Sequence, residues 1–160
     1  MQQIKLRGTL ALTLALAIQV LIISVFPDRF TATHVPAHLG SYALAGVFFW
    51  LNRRVPGLWI TGLGGGLNLV AIAANGGVMP ASATAVAASG APTADAGAFI
   101  NSTAMAAPRL AWLGDVFALP SIWPLSNVFS IGDVLIILGV AIVLHRAGRS
   151  CASSPSGPPS

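Results

Sequence analysis

The chain contains no glutamate, one lysine, one cysteine and one tyrosine among 160 residues. Charged side chains make up 8% of it, against roughly a quarter in ordinary soluble domains. Its four acids are Asp28, Asp95, Asp115 and Asp133, a sparser set than the carboxylate or histidine clusters that metal-dependent lipid enzymes usually show. The lone Cys151 excludes an internal disulfide, and no partner stands at metal-ligand spacing. No motif for a haem, flavin or iron–sulfur cluster is present, so no cofactor and no metal is expected. The net charge of +4 does not indicate nucleic acid, because the basic residues flank apolar runs and no basic patch is interleaved with aromatics.

What the chain does have is apolar length: 55% of its residues are hydrophobic. A basic start, Lys5 and Arg7, precedes the run Thr9 to Phe26. That run is long enough to cross a bilayer and lacks a small-x-small cleavage site, so it reads as a retained span (9–26) rather than a signal peptide. A second span (37–51) carries the small-residue row Ala37, Ser41, Ala45 and ends in Trp50 and Arg53-Arg54. His34 and His38 are four apart, but Pro36 lies between them and no third ligand follows, so a structural role is expected for both.

Pro56 opens the segment around which the chain is organised, a third span (57–75) that breaks at Asn75-Gly76-Gly77 and Pro80. At heptad spacing, Thr61, Gly64, Asn68, Ala71 and Asn75 fall on one face, while Leu63, Leu67 and Val70 fall on another. A small and polar stripe on an apolar helix marks the side that meets protein. Gly62 and Gly66 form a GxxxG match that packing within the chain or a dimer could use. No strand precedes the glycines and no Lys-Ser/Thr follows them, which rejects a phosphate loop.

The stretch 76–129 reads as a long extracytoplasmic loop. Ser82 is placed to cap a short helix that Gly90 and Pro92 would stop. Asn101-Ser102-Thr103 matches a glycosylation sequon, which is meaningless in most bacteria. Leu110 to Pro124 reads as a short interfacial helix and turn, with Trp112 and Trp123 at headgroup level. A last span (130–145) opens on Ser130 and Asp133, a capping box with Asp in place of Glu, and closes on His145, Arg146 and Arg149. The remainder, 147–160, is low in complexity and expected to be a disordered cytoplasmic tail.

With the N-terminus inside, Lys5, Arg7, Arg53, Arg54, Arg146 and Arg149 face the cytoplasm, and Arg29 and Arg109 face out. The expected fold is all-α: a four-span transmembrane helical bundle (1–146) with both termini cytoplasmic, whose extracytoplasmic loop carries short interfacial helices. The expected location is the bacterial cell membrane, as a multi-pass protein.

The series GGGLN, NGGVMP, FINS, LGDVFALP and VFSIGDVLIILG resembles, in content and order, an uncharacterised family of small bacterial integral membrane proteins, a domain of unknown function with NGG-x-MP, LGD and S-x-GD motifs. The resemblance covers about residues 5 to 146. It implies an integral membrane protein and supplies no activity, substrate or catalytic residue.

Candidate chemistry gathers in one half of the expected bundle. Counting from the basic anchors, Arg7 to Gln19 is twelve residues, Arg53 to Ser41 twelve, Arg54 to Asn68 fourteen and Arg146 to Asp133 thirteen. At about 1.5 Å per residue all four lie roughly 18–21 Å above the anchors. Gln19, Ser41, Asn68 and Asp133 are therefore expected to form a polar layer, with Asn75 above them, that is either a hydrogen-bonded clasp or a small binding site. Asp115 and Asp133 each follow a glycine in a repeated GDV; they either cap helices or act as an acid–base pair, proton relay or cation site. Three functions remain open. The first is a non-enzymatic accessory component that binds a membrane-protein partner or a second copy of itself. The second is an ion or small-solute transporter working as an oligomer. The third is a lipid- or isoprenoid-acting enzyme using Asp115 and Asp133.

Overall fold

The structure is a computed structural model that describes residues 6–22, 34–90, 102–105, 107–124 and 126–152. Helix α1 (Thr9–Val20) lies against α2 (His34–Leu51), α2 against α3 (Leu58–Ala74), and α3 against α5 (Ile131–Ala152). Between α3 and α5 the chain builds a small cap. It runs β1 (Met79–Ala81), α4 (Ala83–Ser89), β2 (Ser102–Ala104), a 3-10 turn (Ala111–Leu113), β3 (Phe117–Leu119) and β4 (Asn127–Phe129).

The heptad row of α3 is its buried face: Thr61, Gly64, Asn68 and Ala71 are buried, with Leu58 and Ile72, while Leu63 and Val70 are exposed. The partner row on α5 is Gly132, Ile136, Gly139 and Val143, spaced by four, three and four residues. The two rows meet glycine to glycine. A Cβ on Gly64 would collide with the Gly132 carbonyl, and one on Gly139 would collide with the Gly57 carbonyl and the Thr61 hydroxyl. The helices run antiparallel and pack backbone to backbone, as small residues permit. Gly62 packs on Phe49 of α2, whereas Gly65 and Gly66 meet nothing within 4 Å.

The cap closes over the last turn of α3. Ala71, Ile72, Met79 and Leu113 form its buried core, with Leu39, Tyr42 and Leu67 packed against them. Helix α3 stops because Gly76 and Gly77 take left-handed φ angles of 71° and 97°, conformations that cost glycine little. Strand β1 is buried throughout and pairs in parallel with β2, Met79 opposite Ser102. On its other side the Asp115 amide donates to Pro80 O at 2.8 Å, and Asp115 O accepts from the Ser82 amide at 3.0 Å. Ser82 then caps α4, its hydroxyl accepting from the Ala85 amide, and Gly90 ends that helix in the left-handed region. Strands β3 and β4 pair antiparallel, with Phe117 stacked on Phe129 at 5.4 Å.

These elements overturn the expected four-span all-α bundle. The segment read as a helical loop carries two two-stranded sheets, so the chain is not all-α. Among the described residues one helix, over Ile131–Arg149, is long and apolar enough to cross a membrane. Helices α1 and α3 are apolar but have 12 and 17 residues. At about 1.5 Å per residue α3 reaches roughly 26 Å, short of the ~30 Å hydrocarbon layer, and the described α-helical part of α1 roughly 18 Å. Helix α2 has 18 residues, but His34, Pro36 and His38 lower its apolar density. Apolar composition continues past helix ends, and composition alone does not show where a helix stops; residues 23–26 of the expected first span lie outside the described residues.

Candidate functional site

Two groups of polar side chains join the helices, one between α3 and α5 and one between α1 and α2. At the start of α5, Ser130 and Asp133 form the capping box: the Asp133 amide donates to Ser130 Oγ at 3.1 Å, and the Ser130 amide donates to Asp133 Oδ2 at 2.8 Å. The carboxylate sits at the positive end of the helix dipole, which favours its charge. Asn68 of α3 completes the group. Its Nδ2 donates to Asp133 Oδ1 at 2.8 Å, and its Oδ1 accepts from the Ser130 hydroxyl at 2.9 Å. The same hydroxyl is within 2.8 Å of Asp133 Oδ2. Gly132 is the residue that lets Asn68 in, because any Cβ there would overlap Asn68 Oδ1.

A second pair joins α1 to α2. Gln19 Nε2 donates to Ser41 Oγ at 3.1 Å, and the fully buried Ser41 hydroxyl donates back to His38 O at 2.6 Å. The described hydrogen bonds thus join the four residues of the expected layer as Gln19 with Ser41 and Asn68 with Asp133. His38 is buried and meets the Tyr42 ring edge-on at 5.4 Å. Tyr42 packs in turn against the buried core of Ala71, Ile72, Met79 and Leu113.

Asp115 differs from Asp133 in kind. It is buried and sits in an extended bridge beside Ala81, with Gly114 pressed onto the Pro80 carbonyl. The two GDV segments therefore do different work, one opening a helix and the other adding a third chain beside β1. Among the described residues no group of three or more His, Cys, Asp or Glu could hold a metal ion.

Asn75 and an asparagine that sequence reasoning passed over, Asn52, make the same clamp at opposite ends of the α2–α3 hairpin. Asn52 Nδ2 donates to Phe48 O at 2.8 Å and to Arg7 O at 2.7 Å, and the Arg7 amide donates to Asn52 Oδ1 at 2.9 Å. Asn75 Nδ2 donates to Ala71 O and to Arg109 O, both at 2.8 Å, and the Arg109 amide donates to Asn75 Oδ1 at 2.8 Å. Each asparagine satisfies a carbonyl of its own last helical turn and the backbone of a distant arginine. The available signal was position: both follow directly on an apolar helix, where helix carbonyls need donors.

The clamps also sort the charge. Arg7 is tied to the α2–α3 turn, which carries Arg53 and Arg54, and α5 passes that turn at Gly139 and Val143, shortly before Arg146 and Arg149. Five arginines therefore share one end, and Arg53 stacks on Trp50 at 4.5 Å. Arg109 is held at the other end with the cap. The long flanks between these ends are apolar and open, including Leu10, Leu14 and Leu16 on α1, Leu63 and Val70 on α3, and Ile137, Leu138 and Leu144 on α5.

The model of a family described as "Family of unknown function (DUF5317)" matches residues 3–145. No curated protein and no solved structure matches the chain.

Proposed function

We propose that this chain, which belongs to the DUF5317 family of unknown function, is a membrane-associated, non-enzymatic component anchored through α5. The observation that carries this reading is the stretch Ile131–Arg149: 19 residues, apolar, with only 11% of its residues fully buried against the rest of the chain. At about 1.5 Å per residue it measures roughly 28 Å, the thickness of a hydrocarbon core. A water-soluble monomer rarely leaves so much contiguous apolar surface uncovered. The gathering of arginines at the far end of α5 supports placing that end in the cytoplasm.

An accessory role is supported by the fate of the polar groups. Asp133, the candidate acid or ion ligand, has both carboxylate oxygens occupied by Asn68 and Ser130. Gln19 and Ser41 are likewise joined to each other. Arrangements of this kind hold helices together, and the side chains left facing outward are apolar and suited to lipid or a membrane partner.

Two measurements on the full chain in bacterial membranes test this. After alkaline carbonate washing the protein should remain in the pellet, and Ile137→Asp, on the open face of α5, should release it; a wild-type chain that washes off removes the anchor. Purification in mild detergent should return the chain with one stoichiometric membrane-protein partner or as an oligomer. A lone monomer that catalyses turnover of a lipid would overturn the accessory reading.

A further inference from the structure

We infer that the cap between α3 and α5 seats on the lipid headgroup layer, with Trp112, Phe117, Ile122 and Trp123 as its contacts. This rests on the reading of α5 as the anchor and adds a second lipid contact, made by residues outside it.

Continuity fixes where the cap lies. Strand β4 ends at Phe129, and α5 begins at Ile131 with Ser130 between them. Phe117 is stacked on Phe129 at 5.4 Å and is itself exposed, so an aromatic pair stands directly at the mouth of the apolar helix. Trp112 is brought to the same level from the other side. Its neighbour Leu113 is buried with Ala71 and Ile72 on the last turn of α3, and Asn75 clamps Arg109 three residues before it. Because Gly64 and Asn68 meet Gly132, the last turns of α3 lie beside and just beyond the start of α5. The turn bearing Ile122 and Trp123 is also held. The Ser121 amide donates to Ala88 O of α4 at 3.3 Å, and the Trp123 amide donates to Pro120 O at 3.0 Å.

Exposure and charge then select the occupant. Trp112 is 67% exposed, Ile122 87% and Trp123 62%, each on a turn pinned by backbone hydrogen bonds. Among the described residues of the cap the charged side chains are Arg109, which is exposed, and Asp115, which is buried. The described residues thus present an apolar, aromatic surface with one cation and no exposed acid, which matches a layer of lipid phosphates over acyl chains. Tryptophan concentrates at that level because its ring is apolar and its N–H needs a polar partner.

The test uses the full chain in vesicles of phosphatidylcholine and phosphatidylglycerol. Variants keep either Trp112 or Trp123, with the other three tryptophans changed to phenylalanine. In a Cys151→Ser background, Ile122→Cys and Leu138→Cys carry a fluorescent label, the first on the cap and the second on α5. Lipids brominated near the headgroup should quench Trp112, Trp123 and the label at position 122 roughly twofold more strongly than lipids brominated near the chain ends, with the order reversed at position 138. Should the tryptophan variants fail to fold, the label at position 122 decides the matter, since that side chain stands in the open. Cap probes untouched by either lipid but quenched freely by aqueous acrylamide overturn the inference, and quenching at position 138 in the same sample leaves the anchor standing. Cap probes shielded from both acrylamide and lipid bromine also overturn it, in favour of a protein–protein contact. Quenching of the cap with none at position 138 supports cap docking and removes the anchor instead.

Discussion

Asn68 Nδ2 donates to Asp133 Oδ1 at 2.8 Å across the α3–α5 seam, joining residues 65 apart in the chain. The bond runs beside Gly132, whose missing side chain is what lets the amide reach the carboxylate. A helix cap and a helix–helix contact are thus one group, so loosening the cap also loosens the seam.

Asp133→Asn should destabilise the protein by about 1–3 kcal/mol, because both carboxylate oxygens accept and an amide has only one acceptor oxygen. The exchange Asn68→Asp with Asp133→Asn should restore most of that loss. The amide oxygen introduced at position 133 can face Ser130, while its NH2 faces the carboxylate introduced at position 68. Thermal unfolding of the four chains in detergent measures this as a double-mutant cycle, and additive losses would contradict it.

The glycines of α3 should divide into two groups. Gly64→Ala would force the new methyl against Gly132 and Ile136, an overpacking cost of about 1–3 kcal/mol or more. Gly66→Ala meets nothing within 4 Å and should be neutral or stabilising, by up to about 1 kcal/mol of helix propensity. A melting series settles the order, and equal effects at the two sites would argue against the seam.

The asparagine clamps predict local rather than global failure. Asn75→Ala removes two hydrogen bonds to the Arg109 backbone and one to Ala71 O, and should speed tryptic cleavage after Arg109, leaving cleavage after Arg7 unchanged. Asn52→Ala should do the converse. Mass spectrometry of limited digests distinguishes the sites, and a parallel rise at both would indicate general unfolding.

Leu110 is the one non-glycine described residue with positive φ, at 53°. A branched side chain there costs roughly 1–2 kcal/mol of backbone strain. Leu110→Gly should therefore raise the unfolding midpoint, although it removes an apolar side chain that is 38% exposed. A lower midpoint would show that its packing outweighs the strain.

The sequence by itself determined the features that depend on near neighbours. The row Thr61, Gly64, Asn68, Ala71 follows from helical periodicity, and its small and polar character marks a face that meets protein. The Ser130–Asp133 box, the Ser82 cap and the stop at Gly76-Gly77 are likewise set within a few residues, where side-chain chemistry acts directly on the backbone. Tertiary structure alone decided what those faces meet. That Asn68 belongs to Ser130, that Asn52 holds Arg7, and that Gln19 goes with Ser41 depend on which helices lie side by side. The strands of the cap are three residues each, too short to leave an alternating pattern, and β1 exists because β2 and Asp115 arrive from 20 or more residues away to bond it. Hence two identical GDV segments have opposite fates: Asp133 opens a helix because Ser130 stands three residues before it, and Asp115 lies extended because Pro80 lies alongside. The four expected spans failed for a related reason. Hydropathy adds up residues along the chain, but a helix ends where its backbone finds other partners, and only the folded chain shows where those partners are.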